Sequence, residues 1–235
     1  MDDPVLTTAV LHELRRRFTA LDEAAPLTAG ALEEPLGELL VELVGLHVAA
    51  THAAHEPSSG AVSDVLAELR HVLLEDLAAR VGVLAWPGAL PRAAELLPCL
   101  LDPSLFAAVL ATAERTLPEA PRPRLQEPVD TIRESCTALR AVFAREWRET
   151  PPVVAVAGGP ELVVRLARVQ VAAALVRNAT EDPDDLTETT ARRYAWRWLR
   201  DPAPEAASVQ HRKRTAALLR RWCVDAADAI LGEVV

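Results

Sequence analysis

Glutamate and histidine side chains in two neighbouring segments are of the types that could bind a metal. The residues 68–71 read Glu-Leu-Arg-His, and this Glu-x-x-His spacing is the one that di-iron helical bundles use. In such bundles, carboxylates and imidazoles hold two iron ions that activate oxygen. The candidate ligands in this chain are Glu42, His47, Glu68, His71 and Glu75.

The pattern around these residues favours a helix without a metal. A di-iron bundle needs the Glu-x-x-His spacing twice, and the chain has it once. Glu68, His71 and Glu75 form a polar stripe opposite an apolar one, which is typical of a solvated helix face. His47 belongs to the apolar stripe of its own helix, whereas His52 and His55 point to a different edge. A carboxylate–histidine di-metal oxidase is therefore the third functional hypothesis, and no metal site is predicted.

A second group of residues combines arginine with tryptophan near the end of the chain. Residues 192–201 and 211–222 contain nine Arg and Lys, three of the five Trp and the only Tyr. Arginine and tryptophan are enriched in binding hot spots because they offer a large area and planar hydrogen bonding. Helical spacing places several of the arginines on shared faces. The predicted binding residues are Arg193, Trp196, Arg197, Arg200, Arg214 and Arg221.

Three uses fit this Arg/Trp surface: pairing with the acidic first half of the chain, binding a phosphate-bearing ligand, or binding an acidic partner. The leading hypothesis is a non-enzymatic scaffold or interaction protein that acts through the last two helices, with a protein partner or a second copy of itself. The alternative is a helical enzyme or accessory subunit that binds a phosphate-containing cofactor or acyl carrier, nucleotide-like or CoA-like, in an inter-helix pocket. No cofactor is predicted.

The glycine-containing stretch 153–164 is a weaker candidate. Val153–Val156 is the one segment with the composition of a strand, and Gly158-Gly159 precedes a helix predicted to begin near Pro160. A phosphate could dock at such a helix N-terminus, but Glu161 would repel it. Neither the P-loop nor the dinucleotide-binding pattern is present.

Composition limits the class of protein. Half of the 235 residues are hydrophobic, and the net charge is −9. Residues 1–117 carry seven Arg against 17 Asp and Glu, so the excess of negative charge lies in the first half. This acidity argues against non-specific nucleic-acid binding. No apolar run approaches the ~20 residues that span a bilayer, and the start, MDDPVLTT, lacks the positive charge of a signal peptide. We expect a cytoplasmic protein that is not embedded in a membrane.

The elements that must position these residues are helices. Apolar residues recur at three-to-four spacing through nearly every segment, and the breaks fall at proline and glycine. The sequence therefore predicts an all-α multi-helix bundle of about eight or nine helices. Residues 118–128 contain four prolines and are predicted to be a linker between an acidic N-terminal part, 1–117, and a C-terminal part, 129–235, which carries the Arg/Trp surface. The two parts form either one core or two helical subdomains.

Overall fold

A computed structural model describes residues 4–22, 26–55, 60–84, 90–144 and 152–200, together with 217, 218, 220 and 221. These residues contain eight α-helices and no strand, which confirms the predicted all-α bundle. The helices are α1 Pro4–Asp22, α2 Pro26–His55, α3 Gly60–Arg80, α4 Leu90–Leu100, α5 Pro103–Thr116, α6 Pro123–Val142, α7 Pro152–Glu181 and α8 Asp185–Trp198.

Proline and short polar side chains determine where several helices begin. Five of the eight helices start at a proline, whose fixed φ suits the first helical position and whose missing N–H would have no partner there. Asp102 caps α5 by accepting hydrogen bonds from the backbone N–H groups of Ser104 and Leu105, at 2.8 and 3.4 Å. Asp184 and Thr187 form a reciprocal capping box at the start of α8. The acidic stretch 181–185 therefore ends one helix and begins the next.

Helix α7 is the centre of the bundle. It packs against α2, α3, α4, α5, α6 and α8. Its apolar residues point in all directions, the pattern of a helix surrounded by protein. Side chains on several of its faces are fully buried, among them Val163, Leu166, Val169 and Val176. The elements that carry the polar sites below are therefore all held against this helix.

The break predicted within 153–160 is wrong. Helix α7 begins at Pro152 and continues through Gly158, Gly159 and Pro160. There is no helix N-terminus at Pro160 at which a phosphate could dock. Gly159 instead allows α4 to approach closely, because a Cβ atom at that position would lie 2.2 Å from Cδ2 of Leu97. Gly159 therefore serves helix packing, which a reading of local turn signals does not reveal.

The proline-rich segment 118–128 is partly helical. Pro123 is the first residue of α6, so 123–128 form its first turns, and Pro128 is buried within that helix. Buried side chains of both halves of the chain, from Val10 to Leu218, belong to one hydrophobic cluster. The division into an N-terminal and a C-terminal part stays a prediction.

One helical stretch of the described residues, Pro35–Ala54, is long and apolar enough by composition to cross a membrane. Its apolar window is 56% buried inside the bundle, as in the core helix of a globular protein. Glu42 lies near the middle of the stretch and is fully buried by other helices. The same helix passes close to α7 and α8 at Gly45, where a Cβ would lie 2.6 Å from Val171 and 3.4 Å from the ring of Tyr194.

Candidate functional site

A charged group lies in the core where α2, α3, α7 and α8 meet. Glu42 of α2 has no exposed area and is hydrogen-bonded to Nη2 of Arg80, on α3. Arg80 also donates from Nε to Asp76 at 3.0 Å, and Nη2 of Arg168 on α7 lies 3.8 Å from the same aspartate. Two carboxylates and two guanidinium groups therefore balance each other. Together with two aromatic residues of α8, these four side chains form what we call the buried charge cluster. Its members are Glu42, Asp76, Arg80, Arg168, Tyr194 and Trp198.

Trp198 closes the cluster by stacking on guanidinium groups from three helices. The Cζ atom of Arg168 lies 4.1 Å from the ring centroid, and those of Arg80 and Arg197 lie at 5.1 Å. A cation over the face of an indole ring is attracted by its quadrupole, and the attraction is stronger where water is excluded. The last turn of α8 is thereby held to α3 and α7.

Burial perturbs the ionisable groups of the cluster. It raises the pKa of Glu42, and the attraction of Arg80 opposes that shift only in part. Burial alone would lower the pKa of Arg80, but its two carboxylate partners raise it overall, so the guanidinium stays charged. Burial also raises the pKa of Tyr194 well above its ordinary value of 10.0. Tyr194 therefore stays neutral and contributes a hydroxyl group rather than a charge.

Three polar atoms of the cluster have no hydrogen-bond partner among the described residues. They are Oε1 of Glu42, Nε of Arg168 and the hydroxyl oxygen of Tyr194. Leaving such a group unsatisfied costs about 1–3 kcal/mol. Glu42 and Tyr194 are fully buried, whereas the side chains of Asp76, Arg80 and Arg168 keep 22–27% of their area exposed at the edge of the cluster.

A solvent-accessible cleft lies between α2, α3, α5 and α7. Its volume is about 440 Å³, within the range of roughly 300–1,000 Å³ that small-molecule sites occupy. We call it the arginine cleft because three arginines from three helices, together with one histidine, line it. The lining residues are Ala49, His52, Ala53, Leu66, Arg70, Thr112, Arg115, Thr116, Gln170, Ala174 and Arg177.

Hydrogen bonds along the walls fix several of these side chains. The amide of Gln170 donates to the backbone oxygen of Val109 at 2.8 Å and joins α7 to α5. Arg115 donates from Nη2 to the hydroxyl of Thr112 at 3.1 Å. Nε of Arg177 donates to Glu181, one turn further along α7, at 2.7 Å. The polar walls are therefore held by the rigid helices rather than by loops.

The electrostatic character of the cleft is positive. Arg70, Arg115 and Arg177 contribute three guanidinium groups, and His52 can add a fourth donor. None of the described residues that line it carries a carboxylate. Guanidinium groups match the geometry of phosphate and carboxylate oxygens through paired hydrogen bonds. The cleft can therefore bind an anion.

The five candidate metal ligands do not come together. Glu42 belongs to the buried charge cluster, whereas His47 lies on α2 at a separate opening. Nη1 of Arg92 donates to Glu68 at 2.8 Å and its Nε donates to Glu75 at 2.9 Å, while Nε2 of His71 lies 3.4 Å from Glu75. In the part of the chain that the structure describes, no three His, Cys, Asp or Glu residues are placed to hold a metal ion.

The predicted Arg/Trp surface is divided between the interior and the exterior. Arg193 is only 7% exposed, so it does not share a solvent-facing surface with Arg197 and Arg200. Arg197 donates to Glu38 of α2 at 2.9 Å, and Arg200 donates to Glu127 of α6 at 2.6 Å. The contact between Arg197 and Glu38 corresponds to the first of the three uses considered, pairing with the acidic first half of the chain, whereas Arg200 pairs with a carboxylate of the segment 118–128.

Of the remaining predicted binding residues, Trp196 and Arg221 also contact other side chains of the chain. Trp196 is half-buried, its ring stacks with Arg192 at 4.8 Å, and its Nε1 has no hydrogen-bond partner among the described residues. Arg221 is hydrogen-bonded to the capping residue Asp184. Arg214 lies outside the described residues.

Sequence reasoning identified Glu42 but missed the arginine cleft and the partners of Glu42. A carboxylate inside the apolar run Leu39–Val44 is a signal of a buried ion pair, because an unpaired charge is costly there. The three cleft arginines are scattered over residues 70–177, and nothing in their spacing brings them together. No family model, curated protein or solved structure matches this chain.

Proposed function

We propose that this protein binds a phosphate-bearing small molecule in the arginine cleft. The observation that carries the proposal is the lining of the cleft, in which three arginines and a histidine converge and no described residue is acidic. The chain as a whole has a net charge of −9, which repels anions at a distance. The locally positive cleft is therefore a place on this acidic protein where a negatively charged ligand is attracted rather than repelled.

The proposal falls within the inter-helix pocket alternative of the sequence analysis, but at a different place. Arg197, Arg200 and Arg221 each pair with a carboxylate of the chain, as Arg177 of the cleft does with Glu181, and such pairing reduces the charge available to a ligand. The arginine cleft also has the concave form that buries much of a small ligand, whereas an exposed helix face does not.

Titration calorimetry with pyrophosphate and inorganic phosphate tests this function. Arg70→Met and Arg115→Met are each expected to weaken pyrophosphate binding by roughly 10- to 100-fold, because a charged hydrogen bond contributes about 1.5–3 kcal/mol. Arg133→Met is the matched control, since Arg133 is an exposed arginine of α6 that lies 3.7 Å from Asp130. Wild-type protein that binds neither anion, or cleft variants that bind as tightly as wild type, would contradict the proposal.

A second candidate function is self-association through the exposed end of α8. The half-buried ring of Trp196, together with Arg197 and Arg200 at 45% and 47% side-chain exposure, forms a small surface of the composition seen in interfaces. If this surface joins two copies, the mass in sedimentation experiments rises with protein concentration, and the double variant Arg197→Glu/Arg200→Glu stays monomeric. A wild-type chain that is monomeric at all concentrations removes this candidate.

A further inference from the structure

A second cleft adjoins the arginine cleft and shares two of its residues. It lies between the C-terminal halves of α2 and α7, and its volume is about 520 Å³. His52 and Arg177 line both clefts, so a ligand can extend from one into the other. The other residues that line this polar cleft are His47, Val48, Thr51, Asn178, Glu181, Asp182, Thr187 and Arg221.

The charges of the polar cleft are balanced, in contrast to those of the arginine cleft. Arg177 pairs with Glu181 at 2.7 Å, and Arg221 pairs with Asp184. Because each cation already has a carboxylate beside it, this cleft offers no excess of positive charge to a second anionic group. A ligand with a phosphate in the arginine cleft therefore presents a neutral part to the polar cleft.

The polar groups here are suited to hydroxyls. Asp182 contributes a carboxylate, and Asn178 contributes an amide that both donates and accepts. Carboxylates are the groups that bind vicinal hydroxyls in many sugar-binding and ribose-binding sites, because they accept from both. Thr187 is engaged with the backbone oxygens of Asp182 and Asp184, at 2.9 Å each, and so fixes the wall beside Asp182.

Among the described residues, the lining of both clefts lacks the large aromatic side chains on which a nucleobase stacks most favourably. No Trp, Tyr or Phe is among the described residues that line them, and the imidazoles of His47 and His52 are the only rings. Stacking on an aromatic side chain contributes about 1–3 kcal/mol per base, so its absence disfavours a nucleotide. The lining favours a ligand whose neutral part is rich in hydroxyl groups.

From this pair of clefts we infer that the ligand is a sugar phosphate, a phosphate monoester of a polyhydroxylated body. The phosphate of this ligand binds Arg70 and Arg115, and its hydroxyls bind Asn178 and Asp182. This inference rests on the proposed function, because it assumes that the arginine cleft binds the phosphate.

Calorimetric titration with glucose 6-phosphate, inorganic phosphate and adenosine monophosphate tests the inference. We expect glucose 6-phosphate to bind about tenfold or more tightly than inorganic phosphate, since one or two additional hydrogen bonds suffice for that factor. Adenosine monophosphate should bind less tightly than glucose 6-phosphate. Asp182→Asn combined with Asn178→Ala should reduce the preference for glucose 6-phosphate over inorganic phosphate to about threefold or less. Asp130→Asn, on the exposed face of α6, is the matched control and should keep the preference.

The outcomes separate this inference from the proposed function. Equal affinity for inorganic phosphate and glucose 6-phosphate would overturn the sugar phosphate but leave phosphate binding intact. Tighter binding of adenosine monophosphate would overturn it in favour of a nucleotide. A preference that survives the double substitution would move the hydroxyl-binding groups away from the polar cleft. If none of the three probes binds, both proposals fail.

Discussion

The buried charge cluster and the arginine cleft share three helices, α2, α3 and α7. They differ in whether carboxylates lie beside their arginines. On α3, Arg80 belongs to the cluster and Arg70 to the cleft; on α7, Arg168 and Arg177 are divided in the same way. Nine or ten residues separate the members of each pair, which is about 15 Å along a helix. In the cluster, carboxylates balance the guanidinium groups, whereas the described residues that line the cleft include no acid.

This difference indicates what each region is for. A charge enclosed by protein must be compensated within the chain, since no solvent or ligand can reach it. Charges of one sign can remain together only where water or an external anion can approach. The cluster therefore compensates the buried charge of Glu42 within the chain, whereas the cleft brings together three arginines, of which Arg177 pairs with Glu181.

The largest expected effect comes from breaking the pairing inside the cluster. Arg80→Met leaves Glu42 buried without its hydrogen-bonded partner, and we expect the free energy of unfolding to fall by about 3–5 kcal/mol. Arg140→Met is the matched control, because Arg140 is half-exposed and pairs with Glu114 at the surface; it should cost about 1 kcal/mol or less. Urea denaturation followed by circular dichroism measures both. Equal losses of unfolding free energy at the two positions would show that the cluster contributes no more to stability than a surface ion pair does.

A medium effect is expected from the aromatic member of the cluster. Trp198→Leu removes a ring that contacts three guanidinium groups, and it should lower the free energy of unfolding by roughly 1–2 kcal/mol through this loss. Trp196→Leu, two residues earlier on the same helix, removes a ring that stacks with Arg192 alone. The comparison of the two variants by the same denaturation measurement should give the larger loss for Trp198. The reverse order would contradict the assignment of Trp198 to the cluster.

The smallest effect on stability is expected in the cleft. Arg115→Met removes one of the three positive charges of the cleft. Because the side chain of Arg115 is exposed, the free energy of unfolding should change by no more than about 0.5 kcal/mol in either direction. The same variant should show the loss of pyrophosphate binding described above. A large loss of stability in Arg115→Met would mean that the cleft arginines are structural, and the contrast between the two regions would no longer hold.

The fold could be predicted from the sequence because helical periodicity is a local property. The all-α class and most helix positions follow from apolar spacing and from proline at helix starts. Helix α7 was the exception: Gly158, Gly159 and Pro160 are turn signals, but the helix continues through them and packs closely against Leu97 of α4 at Gly159. Local propensity is a weak guide where tertiary contacts surround a segment on every side.

The sites could be predicted only in part, because they depend on contacts that are distant in sequence. Glu42 stands out in an apolar run, but the other members of the buried charge cluster, 34 to 156 residues further along the chain, do not. Arginine density near the chain end drew attention to α8, where carboxylates from α2 and α6 neutralise the exposed arginines. Three isolated arginines on three helices form the cleft instead, and only the arrangement of the helices reveals them.

The central position of α7 has a consequence for hydrogen exchange. Residues 171–176 of this helix are all buried, so we expect their amides to exchange only when the whole bundle opens and their protection to report the global free energy of unfolding. Gln170, Ala174 and Arg177 of this helix also line the arginine cleft. A ligand that binds the folded chain at this cleft adds its binding free energy to that protection by mass action. The exchange rates of the most protected amides thus report whether a ligand occupies the arginine cleft.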